Sequence, residues 1–168
     1  MCGIVGIISS KEVTGRIINS LKKLEYRGYD SAGIATIVDG NINEVKCEGR
    51  VEVLEKDISK FNLKGEIGIG HVRWATHGKP SKINAHPHSS EQVSVVHNGI
   101  IENSTILKKF LEKKGYVFKS QTDTEVIAHL VTEYLKKNSL KDTIIKVLKK
   151  LHGSFALGII FKDQSNLM

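Results

Sequence analysis

The order in which hydrophobic periodicities follow one another constrains the fold of this chain more than any other feature. Apolar runs that read as strands dominate the first part: Gly3 to Ser9, Gly33 to Val38, Asn43 to Glu48, Ile67 to Trp74 and Gln92 to His97. One helix lies between the first two, with Ser10 as its cap and Val13, Ile17, Leu21 and Leu24 on one face before Gly28 stops it. Helical spacing then takes over. Ile106, Leu107, Phe110 and Leu111 form one face up to Gly115, and Thr122-Asp123-Thr124-Glu125 reads as a capping box ahead of Val126, Ile127, Leu130, Val131, Tyr134 and Leu135. Ser139 to Asp142 caps a further helix carrying Ile144, Ile145, Leu148 and Leu151, and Gly153 separates it from a last strand at Phe155 to Phe161. Strands, then helices, then a strand predict an α+β layered domain rather than alternating βαβ units. The 168 residues suffice for one core, and no repeat, linker or low-complexity stretch divides them.

Charge narrows the class of partner. The net charge is +7, and Thr105 to Lys150 supplies most of it with 11 Lys against 5 acids. Those lysines fall on polar helix faces without Arg clusters or interleaved aromatics, which predicts a solvated surface and no nucleic-acid partner. No apolar run approaches the ~20 residues of a bilayer span, and no basic stretch precedes the first apolar segment, so no membrane anchor or signal peptide is expected. Two cysteines, Cys2 and Cys47, cannot build a disulfide framework; reduced thiols in the cytoplasm are the expectation, with Cys47 structural or partly exposed.

Chemistry begins at Cys2, which follows the initiator Met and heads a strand. Removal of Met1 would leave one residue with a thiol and a free α-amine, whose ordinary pKa of about 7.7 to 8.0 suits it to take the thiol proton. The competing reading is a small buried residue. Acyl chemistry also needs donors for an oxyanion, and His97-Asn98-Gly99 offers a side-chain amide beside a backbone N–H that a ligand can approach closely. Asn-Gly is equally the commonest hairpin-turn dipeptide. Seven histidines, two of them in His86-Pro87-His88, raise a metal site, but the spacing lacks the patterns that fix zinc ligands, and no metal is expected.

Several segments together resemble the class II glutamine amidotransferases of the N-terminal-nucleophile hydrolase group. They are Met1-Cys2-Gly3-Ile4-Val5-Gly6, the runs Leu24 to Ala35, Gly70 to Ser81, Asn84 to His88, Val95 to Asn103 and Thr122 to Leu130, with His152 to Ile160 resembling the next strand. Tyr26-Arg27-Gly28-Tyr29-Asp30 and Trp74-Ala75-Thr76-His77 are similar to the branch that aminates a sugar phosphate; the purine-pathway branch usually has His-Arg-Gly-Gln at the first of these.

The resemblance implies a four-layer αββα sandwich and hydrolysis of the L-glutamine side-chain amide through a Cys2 thioester, with no cofactor. It matches Cys2 to the nucleophile, and Asn98 and Gly99 to the oxyanion donors. Arg73 matches the α-carboxylate ligand and Asp123 the α-ammonium partner, although Asp123 also suits the first turn of a helix. Thr76 and His77 match a loop that closes over glutamine, Trp74 a residue associated with ammonia passage, and Arg27 and Gly28 a segment near the nucleophile. The ammonia would serve glucosamine-6-phosphate formation from fructose-6-phosphate. Family members continue into further strands and a sugar isomerase region, so residues 1–168 are expected to be a C-terminally truncated glutaminase domain lacking that partner. A binding module without turnover is the alternative, as is the glutaminase of another branch, and a homo-oligomer stays open.

Overall fold

The computed structural model describes residues 2–75 and 78–163. Seven strands form two antiparallel sheets. The first contains β1 (Gly3–Ile8), β2 (Ser31–Val38), β3 (Asn41–Glu48) and β4 (Ile67–Arg73) in the order β1-β4-β2-β3. The second contains β5 (His88–Ser89), β6 (Val93–Ile101) and β7 (Gly153–Phe161) in the order β5-β6-β7. Helices α1 (Thr14–Leu24) and α2 (Val51–Ile58) cover the first sheet, and α3 (Ser104–Glu112), α4 (Glu125–Leu135) and α5 (Leu140–Lys150) cover the second.

Strand alternation explains the layering, because successive side chains on a strand face opposite ways. On β4, Val72 packs with Ile17, Leu21 and Leu54 under α1 and α2, whereas Ile69 turns to the other sheet and meets Val96 and Ile160. On β6, Val93 and Val95 face Leu107, Ile127, Leu130 and Val131 of the helices, whereas Val96 faces the sheet opposite. Each sheet is therefore apolar on both faces, and the outcome is the four-layer αββα sandwich. Among the described residues, no helix is long and apolar enough to cross a membrane.

Several local expectations change. The α1 start is not capped by Ser10: its N-cap is Val13, whose N–H donates to the Gly65 carbonyl, and the Thr14 hydroxyl donates to Leu63, so a neighbouring loop supplies the partners. Helix α2 escapes periodicity because it is short and follows β3 almost directly; its first N–H donates to Glu25 Oε1 at 2.7 Å, a cap from 26 residues away. The capping box before α4 does not form, since Thr124 makes no side-chain cap and the Glu125 carboxylate instead accepts from the N–H groups of Lys119 and Ser120. Strand β6 runs on through Asn98 and Gly99, paired with Ala156 and Phe155, so this dipeptide is not a hairpin turn. Cys47 is fully inside the α2 layer rather than partly exposed.

Candidate active site

Register brings the first two groups together. In the β1·β4 ladder Gly3 faces Val72, so Cys2, one residue earlier, falls opposite Arg73, and both share the parity of the side chains that face the other sheet. Gly28 packs its backbone against the same strand end: a Cβ there would lie 2.6 Å from the Arg73 carbonyl carbon. That contact gives Gly28 a steric reason, and neighbouring Arg27 is half-buried with its Nε–H donating to the Tyr26 hydroxyl.

Cys2, Arg73, Trp74, Gly99 and Asp123 line one small cavity with His86, His97, Thr122 and Thr124. Asn98 is not in that lining; it is half-buried on the inter-sheet face of β6. Thr76, His77 and Met1 lie outside the described residues. The cavity is small, ≈ 20 Å³, about one water. Roomier cavities exist, one of ≈ 610 Å³ beside Glu44, Lys114 and Tyr116, but none contains Cys2.

The Cys2 thiol accepts from the Trp74 N–H at 3.5 Å. Burial raises its pKa above the ordinary thiol value, against the lowering pull of the Trp74 backbone bond, the amino terminus and Arg73. A thiol that keeps its proton at neutral pH needs a base. Arg73 is 4% exposed, donates through Nη2 to the Gly78 carbonyl at 3.0 Å, and has Asp30 3.9 Å from Nη1. Asp30 also accepts the Ala75 N–H and the Ser31 hydroxyl, so it steadies the strap that follows Arg73. Sequence reasoning passed over Asp30 as a site residue because the partners that tie it to the site, Arg73 and the Ala75 N–H, lie far along the chain.

The edge of β6 carries the donor geometry. In an antiparallel ladder, alternate residues direct both N–H and C=O to the same side. On β6 the odd-numbered residues face away from β7: the His97 N–H donates to His86 Nδ1 at 3.3 Å and the Ile101 N–H to Asp123 Oδ2 at 2.7 Å. The N–H of Gly99 falls between them on the same edge, where β5 has already ended, and among the described residues no side-chain or loop group accepts from it. The edge is open there because β5 is only two residues long.

Four histidines missed as a unit lie beneath this edge. His71, His86, His88 and His97 are all buried, with the His71 and His86 rings stacked at 4.0 Å. Burial first, and then neighbouring positive groups, hold His71 and His88 down to about 3 and His86 well below its ordinary value. They are neutral imidazoles in a polar core; among the described residues no group of three or more His, Cys, Asp or Glu could hold an ion. The motif Asn84 to His88 was visible in the sequence, but its partners Thr122 and Thr124 come from a distant helix start.

Comparisons with known proteins identify the family. The family described as "Glutamine amidotransferase domain" matches residues 71–168. A glutamine–fructose-6-phosphate aminotransferase (isomerizing) of Clostridium acetobutylicum is 55% identical over 95% of the chain and 26% of its own length. That of Caldanaerobacter subterraneus subsp. tengcongensis is 51% identical over 100% of the chain and 28% of its length. The chain thus spans about a quarter of the length of these relatives. Among solved structures, a glutamine phosphoribosylpyrophosphate amidotransferase from B. subtilis superposes with a TM-score of 0.81 at 32% identity, over 96% of the chain and 35% of that one. A second, described as the allosteric regulatory enzyme of purine biosynthesis, gives 0.82 at 33% over the same shares.

Proposed function

We propose a reaction for a chain that belongs to the glutamine amidotransferase domain family: hydrolysis of the glutamine side-chain amide to glutamate and ammonia at Cys2. The observation that carries it is the Gly99 N–H, left facing the cavity between two anchored neighbours and beside the thiol. Such a donor is fixed before the substrate arrives and is aimed where negative charge develops.

The α-amine of Cys2, freed when Met1 is removed, takes the thiol proton. The thiolate attacks the amide carbon, and the carbonyl oxygen becomes an oxyanion held by the Gly99 N–H and the Asn98 amide. Collapse breaks the C–N bond as the amine returns the proton to nitrogen, releasing ammonia and leaving a glutamyl thioester. Water, deprotonated by the same amine, then attacks the thioester and regenerates Cys2. Arg73 receives the substrate carboxylate through its fork. Asp123 spends Oδ2 on Ile101 and keeps Oδ1 for the substrate ammonium. Trp74, 48% exposed and edge-on to Tyr29 at 6.0 Å, offers an apolar wall for the path by which ammonia leaves; Thr76 and His77, outside the described residues, are the loop residues that the resemblance assigns to closure over glutamine.

In the whole protein, the sugar isomerase region would use this ammonia to make glucosamine-6-phosphate from fructose-6-phosphate. Relatives carrying the aminotransferase name reach 55% identity, against 33% for the purine enzymes, which supports that branch. The reading places the reaction in the cytoplasm, with Cys2 and Cys47 both as free thiols.

Intact mass and a glutamate-release assay test it together. Protein lacking one Met residue is expected to release glutamate, Cys2→Ala to release none while still binding glutamine, and Met1-retaining protein to be nearly inactive. Ordinary turnover by Cys2→Ala would sink the assignment.

A further inference from the structure

A β-strand edge that ends early leaves backbone groups which must find other partners. On β6 the register is His88 opposite Val95 and Ser89 opposite Ser94, so its continuation would set His86 opposite His97. That continuation is not made, because β5 starts only at His88. Side chains take over instead. The His97 N–H donates to His86 Nδ1 at 3.3 Å, and the His97 carbonyl accepts from His71 Nε2 at 2.9 Å.

These bonds fix the tautomers. A carbonyl only accepts, so His71 carries its proton on Nε2. His86 accepts at Nδ1, so its proton is on Nε2, which faces the Thr124 hydroxyl at 3.4 Å. That hydroxyl then donates to His97 Nδ1 at 2.8 Å. Thr124 directly follows Asp123, whose Oδ2 holds the Ile101 N–H. Residues 97 and 101 of β6 are therefore clamped on either side of Gly99, one by imidazoles and the other by a carboxylate, and Thr124 joins the two clamps.

We propose that His71 and His86 are positioning residues for the Gly99 oxyanion donor: they replace the strand missing from the edge of β6, and Thr124 couples that replacement to the acid that holds the substrate ammonium. The idea rests on the glutaminase reading above. It accounts for three imidazoles, His71, His86 and His97, in a core position where apolar side chains would pack without unpaired nitrogens; His71 Nδ1 and His97 Nε2 have no hydrogen-bond partner among the described residues.

The test is kinetic, with each rate divided by the fraction of Cys2 titrated by an irreversible glutamine-like electrophile, so that misfolded protein does not count. Thr124→Val keeps the shape and removes the hydroxyl; His71→Leu removes the donor to His97. Both are expected to lower kcat for glutamine about tenfold or more with little change in KM, because the oxyanion exists only beyond the ground state. Thr124→Ser and His71→Gln, which restore a hydroxyl and an Nε2–H, are expected to recover most of the loss. A merely structural role would lower the melting temperature and the titratable fraction but leave kcat per titrated site unaltered, and that result would overturn the proposal. If His71→Leu does not fold, the Thr124 pair decides alone. Wild-type protein that titrates yet releases no glutamate would remove the glutaminase reading itself and this inference with it. A defect confined to the variants' KM would overturn only the inference.

Discussion

Gly99 is the residue at which sequence and geometry constrain each other most tightly. Its φ of +140° lies where side chains are strained, and a Cβ there would sit 2.0 Å from the Ser154 carbonyl oxygen on β7. Gly115 has a positive φ of +89° as well, but nothing within 4 Å of a Cβ. The two therefore separate backbone strain from steric collision. Gly115→Ala is expected to cost about 1–2 kcal/mol, the strain of a left-handed alanine alone. Gly99→Ala adds the collision and should cost roughly 2–4 kcal/mol while moving the N–H that faces the cavity. Urea unfolding of both variants checks the order, and a Gly99→Ala protein as stable as Gly115→Ala would show that β7 yields to the side chain. The chemistry of single residues was the most legible layer of the site. Cys2 and Gly99 were visible as a thiol at a strand head and a permissive glycine, each with a structural reading beside it, and Arg73 and Asp123 were singled out through the resemblance; the structure brings all four to one cavity. The roles of Asp30, His86 and Thr124 were not visible, because what each does depends on a partner that local spacing cannot reveal.

At the scale of elements, the difference between the starts of α4 and α5 explains which features a sequence discloses. Both carry the pattern of a hydroxyl followed three residues later by an acid. At α5 the neighbourhood is solvent, nothing competes, and the Ser139 hydroxyl oxygen accepts the Asp142 N–H at 3.2 Å as the pattern predicts. At α4 the neighbourhood is a buried bank of imidazoles. The Thr122 hydroxyl lies 2.9 Å from His88 Nε2 and that of Thr124 2.8 Å from His97 Nδ1, so neither caps its helix. A buried imidazole nitrogen left without a partner costs more than a lost side-chain cap, so the hydroxyls go to the rings. Ser139→Ala should accordingly cost about 1 kcal/mol in a urea titration and leave glutamate release unchanged. A loss of activity in that variant would mean that α5 has a closer link to the site than its packing indicates. Long periodic elements such as β2, β4 and α4 were legible to within a few residues. The short ones were not: β5 and α2 exist because remote groups, the β6 edge and the Glu25 carboxylate, complete their hydrogen bonds.

At the scale of the whole molecule, the αββα layering follows from strands apolar on both faces, and the polar exception is the histidine bank at the β6 edge. That exception sets the response to acid. His71 and His88 have folded pKa values of about 3, against about 6.5 when unfolded, and His86 is shifted in the same direction. Burial is the main cause; Arg73 bears on all three and Lys46 on His88 in the same direction, while Glu125 opposes the shift at His88. Between pH 3 and 6.5 the unfolded chain binds protons that the folded one refuses, so stability rises with pH through this window and is lost as pH falls. Each histidine contributes up to roughly 1.4 kcal/mol per pH unit below about pH 6. Glu125 acts in a lower window. Burial works to raise its pKa, but the hydrogen bonds from His129, Ser120 and Lys119 hold it down to about 2, so its contribution is full above pH 4.5 and fades only below that. Urea unfolding at pH 7.5, 6, 5 and 4 should therefore show stability falling steeply from pH 6 to pH 5, before Glu125 adds to the loss at pH 4. His88→Gln, which keeps a donor for Thr122 but cannot take up a proton in this range, should flatten the slope by about one histidine's share. A wild-type curve that stays level down to pH 5 would mean that these imidazoles reach water in the folded protein and that the core beneath the β6 edge is open.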